Sequence, residues 1–228
     1  MCFNLRTSII AYVIGLASAV FAFCTRQLTI GCLVFAYAQM QLSEALIWAG
    51  IDNDNPGLNR AGTSFGKYLL ATHNLAIGVG IILSVLFISK RKLTFFDTIP
   101  MLIGALFFIC VILCYYLPGK YPDMTFPRRK NCKRECQNAE NRLQWKFPHT
   151  WYVGGFVISI LIMIIWIKPL PTKIFMGFAF ILTFILAFTI YPKSMGSIWC
   201  FSTSFIAPLI VVGNYLIIRN KASSDILT

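Results

Sequence analysis

The chain alternates long apolar stretches with short polar breaks. Apolar residues run almost without interruption over 7–24, 28–50, 67–89, 93–117, 150–167, 174–191 and 197–217. Each stretch is about as long as a helix needs to cross a hydrocarbon core of roughly 30 Å. None has the period-two alternation of a strand, and in lipid only helices and closed barrels satisfy their own backbone. The pattern predicts an all-α membrane protein, a single seven-transmembrane-helix bundle forming one domain over 1–228. Short breaks at Thr25–Gln27, Lys90–Lys92 and Lys168–Lys173 make successive helices antiparallel neighbours.

Composition supports this. The chain is 57% hydrophobic and 12% charged, about half the charged share of a soluble domain. A net charge of +12 invites a nucleic-acid reading, but the basic residues lie mainly between apolar stretches, where they anchor helix ends against anionic headgroups. The expected partner is the lipid bilayer, not nucleic acid. The first stretch has features of a signal peptide in Arg6 and Ala17-Ser18-Ala19. Its apolar run continues past that point, so it is read as a span.

Basic residues also bear on orientation. With the N-terminal face as side A, side B carries Arg26, Lys90, Arg91, Lys92, Lys168, Lys173, Arg219 and Lys221. Side A carries Arg6, Arg60, Lys67 and Lys193, plus eight in the polar loop 118–149. Charge next to short loops is the better guide, and Lys90-Arg91-Lys92 is the densest such site. The N-terminus is therefore expected to be extracytoplasmic and the C-terminus cytoplasmic. In the 118–149 loop, Cys132 and Cys136 are four residues apart. They read as two separate thiols, as a disulfide, or as part of a metal site; a regular helix holds such positions rather far apart for bridging.

Ionisable groups inside a span are costly, so each is a functional hypothesis. Glu44 lies six residues before the end of the second span, and His73 six residues after Lys67 opens the third. At about 1.5 Å per residue both fall roughly 9 Å below side A, which predicts a buried Glu44–His73 pair. Tyr37, Gln41, Glu44 and Trp48 recur at spacings of four, three and four, a single polar and aromatic helix stripe. Asn74 lies beside His73. Cys2 before the first span and His149 at the start of the fifth share side A with them. Together Cys2, Glu44, His73 and His149 are residue types that ligate zinc or another transition metal. The plainer alternative is a Glu–His or Glu–Asn hydrogen bond that locks two helices.

Seven spans invite comparison with known families. Retinal-binding rhodopsins need a lysine in the last span, and 197–217 has none, so retinal is not expected. The third span ends Ile88-Ser89-Lys90, without the acidic-Arg-Tyr end of G-protein-coupled receptors. Ceramidase-type hydrolases use three histidines, and this chain has two. Met1-Cys2-Phe3 and the run Gln41-Leu42-Ser43-Glu44-Ala45-Leu46-Ile47-Trp48 resemble an uncharacterised family of small polytopic membrane proteins of bacteria, protists and large DNA viruses. Its members begin Met-Cys-Phe/Trp-Ser and carry Gln-Leu-x-Glu-Gly-x-x-Trp in the second helix. This chain departs at Asn4 and Ala45, and the resemblance covers only its N-terminal part. It implies that Cys2, Glu44 and Trp48 act together, and it supplies no activity.

Three classes of function follow: a metal-binding protein or membrane enzyme centred on the side-A residues, a proton- or ion-coupled transporter or channel, and a structural membrane component such as one of a viral envelope. The expected topology can be checked by labelling single cysteines placed at Asn138 and Arg91. Only the first should react from outside. Outside labelling at 91 reverses the orientation, and labelling of both from one side breaks the span count.

Overall fold

The computed structural model describes residues 4–119, 122–125, 143, 150–168, 170–190 and 195–227. Among them are seven α-helices: α1 (Leu5–Cys24), α2 (Leu28–Asp52), α3 (Pro56–Leu83), α4 (Phe95–Val111), α5 (Thr150–Ile164), α6 (Leu170–Ile190) and α7 (Met195–Leu227). α3 and α4 each run on into one π-helical turn, Ser84–Ile88 and Ile112–Tyr116. All but α5 are long and apolar enough to cross a membrane. The fifteen residues of α5 reach only about 22 Å at 1.5 Å each, short of the hydrocarbon thickness. At the other extreme, the 33 residues of α7 extend about 50 Å, well past the span expected to end at 217.

The largest departure from the expected spans is at α3, which starts eleven residues before Lys67. Asn55 caps it, its side chain accepting from the Leu58 amide at 3.1 Å, and Pro56 occupies the first turn. An Asn cap followed by Pro is a strong start signal, since proline lacks the amide that the first turn leaves unbonded. The 51–66 loop is therefore mostly helix, and only Asn53–Asn55 joins α2 to α3. α4 starts with a reciprocal capping box between Thr94 and Asp97, and Arg91 grips Asp97 through two bonds of 2.7 Å. An acidic residue in the first turn favours a helix start, and the arginine holds Asp97 there.

The first two turns close in the same way. After α1, Arg26 N–H donates to Phe23 O at 3.1 Å and Gln27 N–H to Ala22 O at 2.8 Å. After α2, Asp54 N–H donates to Ile51 O at 3.4 Å and Asn55 N–H to Gly50 O at 2.7 Å. Both are Schellman closures, with Arg26 at φ 61° and Asp54 at φ 47° in the left-handed position that glycine normally fills. Neither turn advertises itself by a glycine.

Packing places α2 at the centre. It lies against α1, α3 and α7, while α3 meets α4 and α5, α5 meets α6, α6 meets α7, and α7 returns to α1. In α2, 78% of the most apolar eighteen-residue stretch is buried, against 22–50% in the other five long helices. The outward surfaces are apolar: Phe87, Leu106, Phe178 and Leu209 are each about two-thirds exposed. A soluble bundle would present charge there; hydrocarbon requires what is found.

Close approach of α2 and α3 depends on glycine at two levels. A Cβ on Gly62 would lie 2.9 Å from the Ile47 amide and Ser43 carbonyl, and one on Gly80 would lie 2.6 Å from Thr29 Cα. Both obstacles are backbone, which cannot swing away. Gly62→Val is expected to destabilise the folded protein by about 1–3 kcal/mol or more, seen as a lower unfolding midpoint in detergent. Gly213→Ala, where a Cβ meets nothing within 4 Å, should be neutral or stabilising by up to about 1 kcal/mol.

Candidate functional site

The polar stripe of α2 faces inward. Gln41 and Glu44 are fully buried, and Tyr37 and Trp48 nearly so. His73 and Asn74 on α3 are fully buried beside it. Only helices whose polar residues share one face can hide them this completely within an apolar bundle, which is why the four-three-four spacing matters.

The structure corrects the depth at which these residues meet. His73 Nε2 lies 3.2 Å from Ala36 O, Gly62 abuts Ile47, and Gly80 abuts Thr29. In each pair the residue numbers sum to 109, which fixes the antiparallel register. Position 65, not 73, is then level with Glu44, and His73 lies about 12 Å further along the bundle. The expected depth match treated α3 as starting at Lys67; its real start at Pro56 shifts the whole helix. His73 instead packs against Tyr37, ring centroids 4.6 Å apart, and faces Phe156 of α5 at 6.2 Å.

Around this level the bundle forms an aromatic enclosure. Trp199 of α7 lies edge-on to Phe180, Phe156, Tyr37 and Phe184, with centroids 5.1–5.9 Å away. Its indole N–H donates to Thr183 Oγ1 at 3.0 Å. Asn74 donates to Ser159 Oγ at 2.6 Å, tying α3 to α5. Trp199, Thr183, Phe156 and Ser159 were not singled out from sequence. Ser159 and Thr183 also bond backbone carbonyls of their own helices, so such hydroxyls look self-sufficient in a sequence, and Trp199 near a span end resembles an interfacial anchor.

Not all of this interior is satisfied. Trp48 Nε1, His73 Nδ1 and Asn74 Oδ1 are buried with no hydrogen-bond partner among the described residues. Buried polar atoms are normally paired, and each that is not calls for a reason. Beyond Tyr37 the character changes. A cavity of about 40 Å³ between α2, α6 and α7 is lined mainly by apolar side chains, among them Leu33, Val34, Met176, Phe180 and Ile210. Beyond it, at side B, comes a second polar cluster, this one closed. Asn214 donates to Gln27 Oε1 at 2.6 Å, Gln27 donates to Thr25 Oγ1 and Val211 O, and Thr172 donates to Asn214.

Of the expected metal set, only Glu44 and His73 lie among the described residues. Among the described residues no three His, Cys, Asp or Glu side chains converge, and the register separates Glu44 from His73. Cys2, His149, Cys132 and Cys136 lie outside the described residues. No family model, curated protein or solved structure matches the chain.

The register can be read by crosslinking. Cysteines replacing Thr29 and Ser84, whose hydroxyl oxygens lie 3.0 Å apart, should form a disulfide on mild oxidation. The pair Glu44→Cys and His73→Cys should not. Peptide mapping distinguishes the two, and the reverse result would restore the equal-depth arrangement.

Proposed function

We propose that the protein is a multi-pass integral membrane protein, a seven-helix bundle that conducts or exchanges protons or a small cation through its interior, with Glu44 as the ionisable relay group. The observation that carries this reading is the buried stripe Trp48–Glu44–Gln41–Tyr37 on the most enclosed helix. A carboxyl group at such a depth is expensive to keep and typically marks an ion or proton pathway. The order of environments along α2 supports the same reading. A polar half on side A is followed by the small cavity lined mainly by apolar side chains, Leu33 and Val34 among them, then by the Gln27–Asn214 cluster on side B. A short apolar zone between polar ones is where many pores gate, by excluding water.

A purely structural role is less well supported. Where polar residues here act as locks, their hydrogen bonds are complete, as in Asn59, which both donates to Thr125 O and accepts from Thr125 N. The buried atoms of Trp48, His73 and Asn74 that have no partner among the described residues suit an interior that takes up a polar occupant. The zinc or other transition-metal site, and with it a membrane enzyme, would require Cys2 and His149 to complete what Glu44 and His73 alone do not. The resemblance to the family with Gln-Leu-x-Glu-Gly-x-x-Trp fits a shared role for Glu44 and Trp48. In this reading the Lys90–Lys92 turn and the C-terminus are cytoplasmic.

Flux through liposomes tests it. Purified protein reconstituted with an internal pH-sensitive dye should dissipate an imposed proton gradient faster than empty vesicles. Glu44→Gln should slow this by roughly tenfold or more, since an amide keeps hydrogen bonding but cannot carry the proton. Its unfolding midpoint should stay close to that of the unaltered protein. Wild-type flux equal to that of empty vesicles, or undiminished flux in the folded glutamine variant, overturns the proposal.

A further inference from the structure

The side-B end of the bundle holds a cleft of about 670 Å³ that the interior pathway does not use. Its walls are the start of α2, the π-helical end of α3, the start of α4 and the chain just after α5. The size lies within the range of about 300–1,000 Å³ typical of small-ligand sites. The floor is apolar, from the buried Ile81 and Val85 with the exposed Ile165 at its edge, whereas the mouth carries Lys168, the Ser89 hydroxyl, and Arg91 and Thr94, both bonded to Asp97. The indole of Trp166 fixes one wall by donating to Phe96 O at 2.9 Å.

Charge at the mouth does not cancel. Arg91 is neutralised by its two-pronged contact with Asp97, which also holds the guanidinium still. Lys168 is exposed with no ion-pair partner among the described residues, and the exposed Lys90 and Lys92 flank Arg91. The mouth is therefore positive and rich in donors. Phe95 and Phe96, each about 70% exposed, sit at the same level, where aromatic side chains mark the boundary between hydrocarbon and headgroups. A ligand suited to this cleft combines an anionic phosphate with an apolar tail that lies along the floor.

We propose that this cleft is a binding site for the phosphate headgroup of an anionic phospholipid from the leaflet facing the Lys90–Lys92 turn. The inference rests on residence in a bilayer, but not on proton conduction. The phosphate oxygens accept from Lys168 and from the Ser89 hydroxyl, and one acyl chain follows Ile81, Val85 and Ile165. Positive clefts between helices on the cytoplasmic side select anionic headgroups in this way, because charge and shape act together.

The test is native mass spectrometry of the full chain in detergent, titrated with phosphatidylglycerol or with phosphatidylcholine. Phosphatidylglycerol should be retained in preference. Lys168→Gln should weaken that binding roughly threefold to tenfold, the loss of one charge-assisted contact at a partly solvated site. Lys168→Arg should restore it, and Lys173→Gln, which removes the same charge outside the cleft, should leave it unchanged. Matching unfolding midpoints establish that the variants are folded. Equal retention of both lipids, or an equal loss in Lys173→Gln, overturns the site in favour of diffuse surface charge. Displacement of the lipid by excess inorganic phosphate overturns the lipid assignment in favour of a soluble phosphate.

Discussion

A helix that carries a carboxylate, an amide, a phenol and an indole on one face cannot present that face to hydrocarbon, and the arrangement of the bundle follows from this cost. α2 bears Glu44, Gln41, Tyr37 and Trp48, and every one of them is turned away from the outer surface. Enclosing a single helix requires neighbours on several sides. α1, α3 and α7 supply them directly, while α5 and α6 complete the wall through Phe156, Phe180 and Phe184, which gather around Trp199. The apolar residues then fall outward by default, because no other surface is left to them.

How tightly the neighbours approach is set by side-chain size more than by hydrophobicity, since lipid tails are as apolar as leucine. α1 offers Ser8, Ala11, Gly15, Ser18, Ala19 and Ala22 as its buried face. α3 offers Gly62 to α2 on side A and Gly80 on side B, so its contact with α2 extends along most of both helices. With two such contacts and the three-residue turn Asn53–Asn55, the register has no slack. That rigidity puts His73 beside Tyr37 and not beside Glu44.

The polar groups divide into two kinds by how fully they are bonded. Gln27, Asn214 and Thr172 at one end, and Asn59 with Thr125 at the other, form closed sets that tie elements far apart in the chain. In a low-dielectric interior such sets are strong because nothing competes for their bonds. The middle differs: Asn74 holds Ser159 through its amide nitrogen while its oxygen has no partner among the described residues. Closed polar sets thus fix both ends of the bundle, while the bonding between them is left incomplete among the described residues.

The sequence by itself determined the helical class, the approximate extent of the long spans, and the inward face of α2, because all three follow from local apolar length and from periodicity. It also contained the start of α3 in Asn55-Pro56, a signal outweighed by the polar residues that follow it when hydropathy alone sets the boundary. Asp97 was legible as a helix-start residue; its grip by Arg91 was not. Tertiary structure decided which residues share a depth, since that depends on the length of the Asn53–Asn55 turn and on the contacts of Gly62 with Ile47 and of Gly80 with Thr29. It also decided that Trp199, Thr183 and Ser159 join the interior, and that Glu44 and His73 belong to different levels of it. Periodicity fixes the direction of a side chain around its own helix, but only packing against a neighbour fixes the height at which two helices meet.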